Sequence, residues 1–261
     1  CVTWENAGGT LSNAMVSNSY YYGLYFNGNA NPTITGTSIQ NCRLDPVAIS
    51  LTSNPTFTDV DFVSNASKAV KVIEGTLSSN AVLAPRSMAG IDNIAYVVER
   101  LDIAPSAKLT ILPGVVIKFR TEDYPYNTYI RSRGNLIAIG DPNNKIYFTS
   151  YKDDSKGGDS NNNGNDNAPE PGDWGQEPLY NSDYHGGVHI INNTVVSDTV
   201  NVLRHCEFSY PSTAIRVDNA HATVDSCLLQ LCRNYGLASF GSANPQVSNV
   251  QFYNIGYTPV E

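Results

Sequence analysis

"TITGTSIQNCRLDPVAISLTSNPTFTDVDFVSN", residues 33–65, returns further along the chain as "TVDSCLLQLCRNYGLASFGSANPQVSNVQFYNI", residues 223–255. The two align without a gap at an offset of 190. Nine positions are identical: Thr33, Gln40, Cys42, Arg43, Ala48, Asn54, Pro55, Val60 and Phe62 each meet their own type. Most other apolar positions meet apolar ones. With a one-residue shift the match continues upstream, where "GLYF" (23–26) faces "AIRV" (214–217). Self-similarity at a fixed period dictates architecture, so it is weighed before any single residue.

Inside this long repeat runs a shorter beat. "GLYF" at 23, "AISL" at 48 and "AVKV" at 69 stand 25 and 21 residues apart, and Cys206 and Cys227 are also 21 apart. Each unit holds short runs of alternating side chains, such as Thr33–Thr35 and Val60–Phe62, which put one face inward. Asn-Pro, Asn-Gly and Gly-Asn turn signals separate them. No amphipathic helix is evident; the nearest candidate, "IAYVVERLDIA" (94–104), is rich in β-branched residues and ends on Pro105. A unit of 20 to 25 residues built from short strands describes one coil of a right-handed parallel β-helix. The expected fold is an all-β solenoid of about 11 or 12 coils, each rising roughly 4.8 Å. A β-sandwich of many short strands is the competing architecture. The recurring Asn and Pro corners favour the solenoid.

The expected organisation is one continuous β-helix segment over 1–261, with the coils of 1–90 repeated at 191–261 and a loop insertion at 151–187. The chain opens on Cys1 within a strand-like phrase, which reads as a piece of a longer tandem array. The net charge is -8, and charged residues make up 15% of the chain. An acidic surface repels phosphate backbones and suits cations, so nucleic acid is excluded as a partner. No apolar run is long enough to span a membrane. The five cysteines, Cys1, Cys42, Cys206, Cys227 and Cys232, have no zinc-site spacing. Cys206 and Cys227 are expected to stack in adjacent coils, reduced and pointing inward.

"KLTILPGVVIKF" (108–119), "GNLIAIG" (134–140), "NKIYFTSYKDDSKGGDSNNNGN" (144–165) and "PGDWG" (171–175) carry a resemblance. They are similar to the right-handed β-helix repeat modules, with the pectin-lyase-like fold, of large bacterial and archaeal surface or secreted proteins. The resemblance covers roughly residues 96–175 and departs at Gln176 and "EPLYNSDYHGG" (177–187). It implies a solenoid placed outside the cell or on its surface. It says little of activity, because one fold hosts many functions.

Polysaccharide lyases and hydrolases share that fold and need a base or converging carboxylates. Asp59 and Asp61 could point the same way from one strand, but the second copy has Asn249 and Gln251 there. A solvated outward pair is the plainer reading. Arg43 and Arg233 follow a cysteine in both copies, as a base or, more simply, as caps on coil-corner carbonyls. His185 and His189 lie four apart, yet the intervening glycines argue against a shared metal on a helix. The tyrosines of 20–26 and 124–129 could stack on a polysaccharide or serve as ordinary strand residues. Asn65 and Asn192 open glycosylation sequons.

The sharpest local pattern is "DSNNNGNDNAPE", residues 159–170. It fits the calcium loop D-x-[DN]-x-[DN]-G-x5-E without the flanking helices of an EF-hand. The expected calcium ligands are Asp159, Asn161 and Asn163 by side chain and Asn165 by carbonyl. Glu170 stands at the twelfth position, stiffened by Pro169 and Pro171, so Asp153, Asp154, Asp166 or Asp173 could take its place. An empty Asn/Gly-rich turn has the same composition. The function expected is a non-catalytic, calcium-stabilised segment of an extracellular stalk, adhesin or filament, joined end to end to neighbouring coils or subunits. A carbohydrate-active enzyme or carbohydrate-binding module on the same scaffold is the alternative.

Overall fold

The computed structural model describes residues 1–121, 128–164, 166–176, 186–191 and 200–256. Among them there is no helix, and the paired strands run parallel. Parallel neighbours need a crossover, and here each crossover is the rest of a coil. "IAYVVERLDIA" accordingly forms two strands, Tyr96–Val98 and Arg100–Ile103. The chain divides into two compact units.

The first unit holds residues 1–73, 85–97 and 152–168. One of its sheets stacks Val2–Glu5, Leu24–Asn27 and Val47–Ile49, followed by Val70–Val72. Val2 pairs with Leu24, Leu24 with Val47, and Val47 with Val70. The sequence beat of 25 and then 21 residues therefore resolves into an even 23, because Ala48 pairs with Tyr25 rather than with Gly23. The inward ladder Trp4–Phe26–Ile49–Val72 fills the core, with Trp4 stacked on Phe26 at 5.1 Å. A second sheet sets Thr33–Gln40 beside Thr56–Val63. Both strands bend at a left-handed residue, Gly36 in one and Asp59 in its partner.

The second unit holds residues 74–84, 98–151 and 169–261. Three faces build it. On one, Ile117, Phe148, Phe208, Leu229 and Phe252 form a single ladder in register. The first four are buried, and Phe148 lies on Phe208 with ring centroids 4.5 Å apart. Burying a large apolar side chain contributes about 1.5–3 kcal/mol, so such ladders carry the stability of each coil. A second face repeats Leu101, Ile130, Val188 and Ile215, all buried.

The described strands make about ten coils in all rather than 11 or 12. The shortfall lies in unequal coils. Tyr129 pairs with Gly187, so one turn of the solenoid consumes the whole loop insertion. Cys206 and Cys227 are buried and reduced, as expected.

Candidate functional site

The Asp/Asn loop leaves the strand Ile146–Ser150 through Gly157 and Gly158, both in the left-handed region that glycine tolerates. Asp159 then folds back over its own loop. Its Oδ1 accepts the N–H of Asn163 at 3.1 Å, and its Oδ2 accepts that of Gly164 at 3.2 Å. The loop is docked on its own unit: Ser160 O accepts the Lys68 N–H at 2.9 Å, and Asn162 Nδ2 donates to Asn65 O at 2.7 Å. The Oδ1 atoms of Asn161 and Asn163 are shielded from solvent and accept no hydrogen bond. A buried acceptor left unmet costs on the order of 1–3 kcal/mol. Two within three residues, beside a pinned carboxylate, are the oxygen donors that a hard cation such as calcium takes.

The other expected ligands divide. Asp153 Oδ1 is occupied by the N–H and hydroxyl of Ser155, Asp154 Oδ1 is shielded from solvent, and Asp166 is exposed. Asn165 lies outside the described residues. Among the described residues no three His, Cys, Asp or Glu side chains gather as a metal site, so an ion here would need amide and carbonyl oxygen beside the Asp159 carboxylate. Lys68 is the nearby cation, with its Nζ 3.9 Å from Asp159 Oδ2.

Glu170 and Asp173 belong to the second unit, where "PGDWG" is a structural latch. Asp173 Oδ2 accepts the Ser150 hydroxyl at 2.7 Å and the Glu170 N–H at 3.0 Å. Trp174 is fully buried, stacks on Phe119 at 4.1 Å and donates its indole N–H to Ser209 O at 2.8 Å. Gly175 has no room for a Cβ, which would stand 2.6 Å from Thr213 O. Glu170 itself is exposed.

Asp59 and Asp61 do share an outward face, and both line a groove of about 360 Å³ in the first unit. Its far wall is a tight turn at 88–91, which sequence reading missed. Met88 and Ile91 exchange both backbone hydrogen bonds, at 3.1 and 2.9 Å, across Ala89 and Gly90. Both central residues have positive φ, the signature of a two-residue hairpin turn. "MAGI" has only the glycine as a signal for it. Asp92 brings a third carboxylate to the groove.

The arginines do not cap coil corners. Arg43 lays its guanidinium over the Tyr20 ring at 4.9 Å. Arg233 is exposed and packs its aliphatic stem against Gly172. His185 lies outside the described residues, as do 124–127 of the tyrosine run and Asn192. His189 is buried and bonds Asp218 at 2.9 Å. Burial alone would raise the Asp218 carboxyl; the bonds from His189 and Arg216 outweigh it and hold it low. Asn65, which opens a sequon, is consumed by the fold. Its Oδ1 accepts the Cys42 N–H, its Nδ2 donates to Ile39 O, and 3% of it is exposed, so no glycan fits there once the chain has folded.

Residues 1–84 match the family model described as a right handed beta helix region. No curated protein and no solved structure matches the chain. The match falls on the coils whose register is the most even, and the coils beyond it repeat the same parallel stacking. Residues 1–84 thus resemble right-handed β-helix repeats, and the described strands beyond them form a parallel β-solenoid.

Proposed function

We propose that the chain is a non-catalytic, calcium-stabilised structural segment of an extracellular β-helix stalk, adhesin or filament. The observation that carries this reading is the pair of buried, unpartnered amide oxygens of Asn161 and Asn163 beside the pinned Asp159. Calcium would relieve both and add positive charge to an acidic chain. A donor set with one carboxylate and two neutral amides is a weak site. Such sites work at roughly 0.1 to 1 mM calcium, concentrations found outside cells. Calcium here would brace the loop on the coil at Asn65 and Lys68.

Calorimetric titration with calcium tests the site. One ion should bind in the submillimolar to millimolar range, and Asp159→Ala should abolish the heat while leaving the β-rich circular dichroism intact. Silence at 10 mM calcium, or equal binding by Asp159→Ala, removes the calcium reading.

A further inference from the structure

The strand Thr56–Val63 is paired on one side only. Among the described residues it bonds Thr33–Gln40 and no other strand. Thr56 donates its N–H to Pro32 on that paired side, so the N–H and C=O of Phe57, one residue on, turn to the bare edge. A bare edge is a template for another strand, and proteins normally cover or blunt it. Here it opens into the groove, which Phe57, Asp59 and Asp61 line on one side and Met88, Ile91 and Asp92 on the other. The far wall is fixed rather than draped. Arg86, at the base of the turn, donates to Pro55 O at 2.8 Å, to Asn54 Oδ1 at 3.0 Å and to the Tyr96 hydroxyl at 2.9 Å.

We propose that this groove takes an extended basic peptide segment as an added strand on the bare edge of Thr56–Val63. The main chain supplies the pairing, and the carboxylates select the partner. Asp59 and Asp61 stand two apart and both face outward. The strand bends at Asp59, and cationic residues on the outward side of an added strand that follows the bend would meet both carboxylates. Apolar residues between would lie towards Met88 and Ile91. The charges also say what does not fit. A second copy of this strand would set Asp against Asp in a chain of net charge -8. The edge is thus closed to self-pairing and open to a basic partner. The proposal is independent of calcium.

The test uses the whole chain in EDTA and a fluorescent octapeptide of alternating lysine and valine, followed by anisotropy. Saturable binding is expected. The double variant Asp59→Asn/Asp61→Asn should weaken it by about tenfold, as two partly screened ion pairs imply. The same peptide N-methylated at alternate amides should lose binding, because it keeps its charge but cannot pair with the edge. Equal binding by the N-methylated peptide would reduce the groove to a charged surface and overturn the proposal. So would equal binding by an alternating glutamate–valine peptide, or displacement of the dye by a neutral oligosaccharide, which would make the groove a sugar site. Unchanged circular dichroism of the variant shows that a loss is not misfolding.

Discussion

Residues 33–65 and 223–255 are the same sentence written twice, with different words at the corners. Left-handed backbone falls at Gly36, Asn41, Asp59 and Ser64 in the first copy. In the second it falls at Ser226, Leu231, Asn249 and Asn254, each 190 residues on, and additionally at Gly241. No corner keeps its residue type. The corners are therefore held by what lies between them: inward side chains such as Ile39 and Leu229, both fully buried. Outward chemistry is where the copies part. Asp59 and Asp61, which a hairpin faces across a groove, become Asn249 and Gln251. The coil skeleton belongs to the repeat, and these two carboxylates belong to one copy.

The largest effect should come from the core. Ile39→Ala and Leu229→Ala occupy one repeat position and should each cost about 2–5 kcal/mol in urea unfolding. A cost under about 1 kcal/mol for either would mean that the two copies are not structurally equivalent. The corners come next. Leu231 sits at φ 53, where leucine is strained and asparagine is tolerated. Asn41→Leu should lower stability by about 1 kcal/mol, and Leu231→Asn should raise it; a shift of the denaturation midpoint in the opposite direction would show that the corners carry no such strain.

The paired cysteines give a chemical version of the comparison. Burial pushes the Cys232 thiol up to about 12 and raises Cys42 above its usual value. In the native state an alkylating reagent at pH 8 should modify exposed Cys1 and spare both. A folded pKa above the unfolded one contributes stability that is complete below about pH 8.5. It is lost as pH rises towards 12, so the melting temperature should fall through that window. A flat profile from pH 8.5 upward would contradict the burial of these thiols. The smallest effect belongs to the groove. Asp59→Asn and Asp61→Asn are exposed and should change stability by no more than about 0.5 kcal/mol. A larger loss would make them structural.

Much of this was legible because solenoid coils are local. Thr33–Thr35, Val60–Phe62 and the Asn-Pro corners announce strand and turn within a few residues, and the 190-residue offset carries four left-handed positions from one copy to the other. What was hidden depends on distant partners. Trp174 as a core plug needs Phe119 and Ser209. The placement of Arg43 over a ring needs Tyr20, 23 residues back in the chain. The Asn65 sequon was readable, but its burial depends on Ile39 and Cys42 one coil away. The coil count ran high because sequence spacing does not reveal how many residues a loop removes from the stack. The Asp/Asn loop was legible as an oxygen-rich pattern. Only the structure pairs Asp159 with Asn163 and Gly164.

Amide hydrogen exchange with and without calcium tests the proposed role of that loop most directly. The Asn163 and Gly164 N–H groups, which already bond Asp159, should slow markedly at saturating calcium, along with their neighbours between 153 and 168. The buried ladder amides of Phe148, Phe208 and Leu229 should exchange as before. Identical exchange of the loop with and without 10 mM calcium would contradict the account and leave 159–170 as an ordinary turn.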